Sequence, residues 1–580
     1  MLNEVIVARR SNDDWLRFRD PVAVVAAYSS AQVYPAMVEV ERRVNLQGLY
    51  AAGFVSFEAA SGFDEALVTR ERGLLPLVCF GLYPQPEVLS AVSDENPASS
   101  ACWQNATGQD GYYQALTRIK RQIGAGNVYQ VNYTLRLGAP AVPCRALFAE
   151  FGAGASYGAF VDADAFAIMS ASPELFFDLR GHRLTSRPMK GTARRGRTLE
   201  QDRTQRDWLA ASEKNRAENL MITDMVRNDV GRIARVGSVR VKDLFRVEKY
   251  PTVWQMTSTV TADTDASVAE IFQAMFPGAS ITGAPKRASM EQIARLEGTP
   301  REIYTGCIGY IAPERHAQFS IAIRTAWTDK SAGTMSYGVG GGIVWDSDPA
   351  EELEEIATKT RVLKSTRRER EFELLETMRW EPQDGLVNLS WHLRRLSDSA
   401  EYFDFTFSKE AFQSAVEGAL KDLESVCHRV RVCVNRAGNV TVQCEPLTLG
   451  GAEQALVLAH EPVDPDNPFL YHKTTNRKVY EDAARFAGTG EEVLLFNTGG
   501  FVTETNIANV VYRLADGWYT PPVSEGLLPG TMRARLLEEK KVSERRLAVG
   551  ELGEIKEICL VSSLRGWRKA RLVRKQPGVS

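Results

Sequence analysis

A chain of 580 residues with 70 basic and 73 acidic side chains carries a formal charge of −3, too even a balance for a protein whose main partner is nucleic acid or an anionic membrane. Its 44 % hydrophobic and 25 % charged residues are ordinary globular values and exclude a largely disordered chain. No apolar run approaches the roughly eighteen residues of a membrane span. The N-terminus lacks the basic, apolar and small-residue order of a secretory signal, so the expected location is cytoplasmic.

At roughly 150 residues per domain the length predicts about four structural units or two large ones. Eight cysteines make no CxxC pair, and six histidines make no HExxH or other paired-ligand spacing. A reduced compartment with buried, inert thiols is expected, and no zinc site. The stretch 94–100, rich in Ser, Asn and Pro, reads as a surface loop.

Mixed α/β architecture is predicted from alternating strands and helices. A strand at 165–170 leads to Ser172-Pro173-Glu174, and after a further short strand comes Arg187-Pro188-Met189-Lys190-Gly191-Thr192. A helix at 213–227 carries Glu218 and runs into Arg227-Asn228-Asp229-Val230-Gly231-Arg232. The segment 276–286 ends in Gly283-Ala284-Pro285-Lys286, ahead of a helix at 289–296. Arg324 follows an apolar strand. A strand at 339–344 contains Gly340, Gly341 and Gly342, and a helix then holds Glu351, Glu352, Glu354, Glu355 and Lys359.

Each piece alone has a plain explanation. Glu352, Glu355 and Lys359 share one helical face, which usually means a solvated surface, and the glycines could be tight turns. Together they offer carboxylates for a hard cation, exposed backbone amides, and a guanidinium fork that matches a carboxylate. That set suits a small acid with two carboxylates.

In this order the residues resemble the chorismate-utilising enzymes, which include the anthranilate, aminodeoxychorismate, isochorismate and salicylate synthases. The resemblance is specific over 110–365 and looser over 1–105. It implies a chorismate-binding α/β sandwich, Mg²⁺ held by Glu218 and Glu355 with Glu352 nearby, and a dianionic substrate, chorismate, held by Arg324, Gly283, Ala284, Thr192, Gly340, Gly341 and Lys359. Position 190 narrows the choice. Anthranilate synthases of the family read ProIleAlaGlyThr, aminodeoxychorismate synthases ProIleLysGlyThr, and this chain Pro188-Met189-Lys190-Gly191-Thr192. Isochorismate synthases place a base lysine where Tyr129-Gln130-Val131-Asn132 puts Gln130. The resemblance therefore implies amination at C4. Glu174 would act as general acid toward the C4 oxygen, which requires a raised pKa. Lys190 would act as the covalent nucleophile; a free lysine titrates near about 10.4, so its amine must be desolvated.

The charged run 364–371 reads as an interdomain link, giving expected domains at 1–365 and 372–580 with a linker at 366–371. Strand-like alternation restarts at 372–380, and 391–403 is an amphipathic helix. Further on stand His472-Lys473-Thr474, Thr503-Glu504-Thr505, Ile507-Ala508 and Leu528-Pro529-Gly530-Thr531-Met532, with Arg395 upstream. The ordered set resembles the class IV pyridoxal-phosphate enzymes (fold type IV, α+β), with aminodeoxychorismate lyase the nearest likeness. By that likeness Lys473 would bond to the cofactor aldehyde and shuttle the proton. Glu504 would pair with the ring nitrogen. Arg395 and the amides of Ile507, Ala508, Thr531 and Met532 would bind the phosphate, and Leu528 would pack on the ring. Methionine at 532 replaces a threonine common in the aminotransferases of the class, which favours the lyase.

The two resemblances name one intermediate, made by the first domain and consumed by the second. No cysteine sits in a GlyxCysxGly elbow, so a glutamine amidotransferase subunit is the implied ammonia donor, and a homodimer through the second domain is a further expectation. The competing readings are an anthranilate or isochorismate synthase fused to a class IV aminotransferase, and a catalytically dead regulatory module.

Overall fold

The computed structural model describes residues 2–9, 14–92, 101–105, 108–152, 154–360, 363, 371–421, 423–451 and 453–573. The expected loop at 94–100 and, apart from Glu371, the expected linker at 366–371 lie outside them. The chain divides into two compact units, Met1–Arg194 with Gln205–Arg367, and Arg195–Thr204 with Arg368–Ser580. The segment Arg195–Thr204 thus groups with the second unit, which a boundary at 365 did not anticipate. No helix is long and apolar enough to cross a membrane.

The first unit is built on two ten-stranded antiparallel sheets. Residues that alternate along a strand face opposite ways, and both faces find a core. On the strand Leu2–Arg9, Val5 and Val7 pack with Phe54, Tyr83 and Ile308 of the other sheet, whereas Ile6 and Ala8 join a cluster with Val33, Val40 and Phe272 from the helices. Strands such as Tyr50–Val55 and Val78–Tyr83 are therefore apolar nearly throughout. Phe272, on the helix Val268–Met275, meets the rings of Phe63, Phe176, Phe177, Phe276 and Phe319 at centroid distances of 4.9–5.9 Å. Each such aromatic pair contributes about 0.5–1.5 kcal/mol beyond burial, and the cluster anchors the segment that follows, which carries Ser280.

In the second unit a four-stranded antiparallel sheet packs on the helices Leu389–Phe403 and Lys409–Leu420. Along His428–Val434 the alternate residues Val430, Val432 and Val434 enter that core. An eight-stranded mixed sheet follows, and a pairing between Val502–Thr505 and Asn509–Arg513 closes six of its strands into a ring. The closing bridge joins Glu504 to Asn509.

Predicted elements and observed ones differ mainly at their ends. The strands at 165–170, 339–344 and 372–380 are Phe166–Ser172, Thr334–Ile343 and Leu374–Glu381. The helices at 213–227, 289–296 and 391–403 are Glu213–Gly231, Lys286–Leu296 and Leu389–Phe403. All eight cysteines are free, but only Cys79, Cys307 and Cys559 are buried and Cys102 is exposed, which corrects the expectation of uniformly buried thiols.

Candidate active sites

In the first unit one cavity is lined by Glu174, Lys190, Thr192, Glu218, Arg324, Gly340, Glu352, Glu355 and Lys359, residues that come from six separate stretches of sequence. Glu174 follows the strand Phe166–Ser172 and is 3 % exposed. Ser280 Oγ donates to its Oε1 at 2.6 Å, and the Met189 amide also donates to the carboxyl. Burial nevertheless dominates and pushes Glu174 up to about 7, since a carboxylate loses hydration there that two donors do not replace.

Lys190 lies on the strand Met189–Arg194. Its carbonyl accepts from Asn219 Nδ2 at 3.1 Å, and Asn219 Oδ1 accepts from Ser258 Oγ at 2.5 Å. Asn219 is buried on the helix that also carries Glu218, a helix capped by Ser212, whose side chain accepts from the Asn215 amide. Gly191 has φ 93°, a conformation open to glycine, and its carbonyl accepts from Gln255 Nε2 at 2.7 Å. Thr192 Oγ1 donates to Gln255 Oε1 at 3.0 Å.

Arg324 stands between two strands with φ 50°, a left-handed conformation uncommon outside glycine and typical of positions held for function. Its guanidinium has no carboxylate partner among the described residues, and burial lowers its pKa. An anion entering the cavity meets an unneutralised fork.

The helix Pro349–Thr360 turns its charged face to this cavity rather than to solvent. Lys359 Nζ pairs with Glu355 Oε1 at 2.8 Å and donates to the Gly340 carbonyl at 2.8 Å. Lys359 holds Glu355 below the usual carboxylate range, while burial and then the charge of Glu355 raise Glu352. Among the described residues no three acidic or sulfur and imidazole ligands form a ready cage. Glu218, Glu352 and Glu355 line one cavity with oxygen donors alone, the kind a hard cation takes, and the charge of Glu355 acts against that of Glu352.

Gly283 and Ala284 do not line the cavity. They pair with Val131 and Gln130 of the neighbouring strand, and a Cβ on Gly283 would lie 2.2 Å from the Gln130 carbonyl. The structure thus places Gly283 and Ala284 in a strand pairing beside the cavity wall rather than on it. Gly341 is also absent from the lining; its missing Cβ leaves room for Glu352 Oε2, 2.9 Å from where it would stand.

In the second unit a cavity is lined by Arg395, Lys473, Glu504, Ile507, Ala508, Leu528, Thr531 and Met532, together with His392, Tyr480 and Asn509. Burial, and next the charge of Arg395, push Lys473 down to about 8. Glu504 is 3 % exposed and is pushed by burial up to about 7. Tyr480 Oη and the Leu528 amide donate to its Oε1 at 2.8 and 3.0 Å, and Asn509 Nδ2 donates to Oε2 at 3.0 Å. Such an acid can stabilise a protonated ring nitrogen. Thr531 and Met532 open the helix Thr531–Glu538, whose free amides suit an anion.

Arg395 lines the cavity while its Nε and Nη2 pair with the Glu376 carboxylate at 2.9 and 2.6 Å, which fixes the guanidinium in place. His392 Nδ1 lies 2.6 Å from the same carboxylate. The amides of Ile507 and Ala508, which line the cavity, donate to Thr505 Oγ1 at 3.4 and 3.0 Å. The residues fit a phosphorylated pyridine aldehyde through Lys473, Glu504 and the helix start. Sequence reasoning missed Ser280, Asn219, Gln255, Tyr480 and Asn509, because no local motif marks a partner that arrives from another strand or helix.

Residues 3–365 match the family model for chorismate binding enzymes, and residues 373–573 match the model for amino-transferase class IV. The chain is 44 % identical over 263 residues to an aminodeoxychorismate synthase of Streptomyces griseus, covering 44 % of this chain and 36 % of that one. It is 41 % identical over 267 residues to aminodeoxychorismate synthase component 1 of Klebsiella aerogenes, covering 45 % and 58 %. These matches span about a third to three fifths of the relatives' own lengths. The crystal structure of anthranilate synthase component I from Streptococcus pneumoniae shares the fold, with a TM-score of 0.52 and 20 % identity over 62 % of this chain and 92 % of that one. The chain belongs to the chorismate binding enzyme family and joins to that domain a second one of the amino-transferase class IV family.

Proposed function

We propose that the first unit aminates chorismate at C4 to give 4-amino-4-deoxychorismate, and that the second removes pyruvate from this product to leave 4-aminobenzoate, a folate precursor. The observation that carries the reading is the meeting in one cavity of Glu174, Lys190 and Arg324, an acid protonated near neutral pH beside an amine and an unneutralised guanidinium.

Hydroxide is a poor leaving group, so Glu174 gives its proton to the departing C4 oxygen. Lys190 attacks C2 as the free amine, the double bond shifts, and the C4 oxygen leaves as water; ammonia then adds at C4 and expels the lysine. Arg324 and Lys359 hold carboxylate groups. Glu218, Glu352 and Glu355 would hold Mg²⁺, which supplies positive charge for the ring carboxylate. The relatives named component 1 of aminodeoxychorismate synthase support a separate glutamine amidotransferase as ammonia donor.

In the second unit Lys473 takes the C4 proton of the aminated ring, and loss of the enolpyruvyl group as pyruvate is driven by aromatisation. Pyridoxal phosphate supplies the electron sink for this step. Glu504 would keep its ring nitrogen protonated, and Arg395 with the amides of Thr531 and Met532 would hold its phosphate. Met532 offers no hydroxyl to that phosphate.

The test is incubation of the full chain with chorismate, an ammonium salt, Mg²⁺ and pyridoxal phosphate, with products identified by mass. 4-Aminobenzoate and pyruvate are expected; anthranilate or isochorismate would overturn the first assignment. Lys473→Ala should accumulate the aminated intermediate, and undiminished 4-aminobenzoate from that variant would overturn the second.

A further inference from the structure

Glu174 faces two cavities. Besides the large one, it lines a narrow space of about 10 Å³ behind it, shared with Ser186, Asp229 and Ser280 and otherwise walled by apolar groups such as Phe176, Val226 and Met275. That volume suits about one water molecule, which needs two to four polar partners. The walls provide them. Ser186 is 4 % exposed and lines the cavity, where its hydroxyl can both donate to and accept from a water. Ser280 Oγ already donates to Glu174.

At the far end, Asp229 Oδ2 accepts from Lys286 Nζ at 2.8 Å, and that ammonium also donates to the Met275 carbonyl at 3.2 Å. The side chains of Lys286 and Asp229 are 16 % and 13 % exposed, so the pair reaches solvent. Burial raises Asp229, against the lowering charges of Lys286 and Arg232. Both residues belong to sequence segments that the two-carboxylate site leaves unused.

We propose that Asp229 and Ser186, through a water in this rear cavity, form a relay that returns to Glu174 the proton it gives up during amination. The inference rests on the proposed C4 amination. In the forward step the Glu174 O–H bond breaks and an O–H bond forms in the departing water. In the return step the cavity water gives a proton to the Glu174 carboxylate and receives one from the Asp229 carboxyl, which solvent reprotonates. One solvent proton enters per turnover and no other reactant is consumed. The bound ring covers the front of Glu174, so the rear supplies its proton while the site is occupied. Asp229 acts through Glu174 and is a positioning residue in this scheme.

Asp229→Asn keeps an acceptor for Lys286 and cannot carry the proton. In the full chain, kcat for amination is expected to fall by about 10², the lower end of what a placed proton donor supplies. KM for chorismate should hold, and the solvent deuterium isotope effect on kcat should rise. Imidazole added at fixed pH should restore part of the rate of Asp229→Ala, a rescue that a structural ion pair would not show. If Asp229→Asn melts early, Ser186→Val serves instead, since it fills the cavity from a buried strand and should give the same loss and isotope effect. A folded Asp229→Asn or Ser186→Val with wild-type kcat and isotope effect would overturn the relay and leave the amination standing. Wild-type protein that does not aminate chorismate would overturn the amination, and the relay with it.

Discussion

A Cβ on Gly342 would stand 2.4 Å from Lys190 Nζ and 2.1 Å from Gln130 Nε2. The lysine and a fully buried glutamine, whose side-chain amide has no hydrogen-bond partner among the described residues, thus share the space one missing methyl leaves. Gly342→Ala should push the amine off its line. Displacements near 1 Å cost about 10² in rate, and a fall of that order is expected in amination, with lyase activity on supplied intermediate unchanged. Equal loss of both activities would mean that the change acts on folding.

The pH dependence of amination should follow Glu174. In the proposed mechanism the acid form does the work, and burial holds its pKa up to about 7, so kcat/KM should fall as pH rises through that value. Glu174→Gln should remove this limb and lower the rate by about 10²–10⁴. A profile flat from pH 6 to 8, a window set by the same shift, would deny Glu174 the role.

Chelation should separate the two activities. Removing Mg²⁺ is expected to stop amination while elimination from supplied 4-amino-4-deoxychorismate continues. Glu355→Gln should weaken Mg²⁺ binding, measured by calorimetry, by at least about tenfold, because a hard cation bound by few carboxylates loses one of them.

Gly530→Ala probes the second site without touching Lys473. Its Cβ would lie 1.8 Å from Asn509 Oδ1 and would displace the amide group that donates to Glu504. Affinity for pyridoxal phosphate, read by fluorescence titration, should drop about tenfold, or about 1.4 kcal/mol.

Stability of the first unit should depend on the Arg301–Glu297 pair, at 2.7 Å with side chains 2 % and 6 % exposed. Arg301 also donates to the carbonyls of Asn132 and Ile281. Glu297→Ala leaves a buried guanidinium uncompensated and should cost about 3–5 kcal/mol in urea unfolding.

The motifs that carry the two resemblances are contiguous, so the candidate groups were legible in the sequence: Glu174 after a strand, Lys190 within one, Glu352 and Glu355 on one helical face, Lys473 and Glu504 beside β-rich runs. Spacing did not reveal what surrounds them. Gly283 and Ala284 pair with a neighbouring strand, and the amides of Ile507 and Ala508 meet the hydroxyl of Thr505, contacts that no spacing announces.

By itself, then, the order of residues carried the resemblance to two families and named the candidate reactive side chains, since chemical identity is a property of the chain. The tertiary structure decided which groups are protonated and who assists them. Ser280 reaches Glu174 across 106 positions, and Tyr480 reaches Glu504 across 24. Burial and hydrogen bonding arise only when distant segments close over a site, and a carboxyl's charge answers to that enclosure rather than to its sequence neighbours.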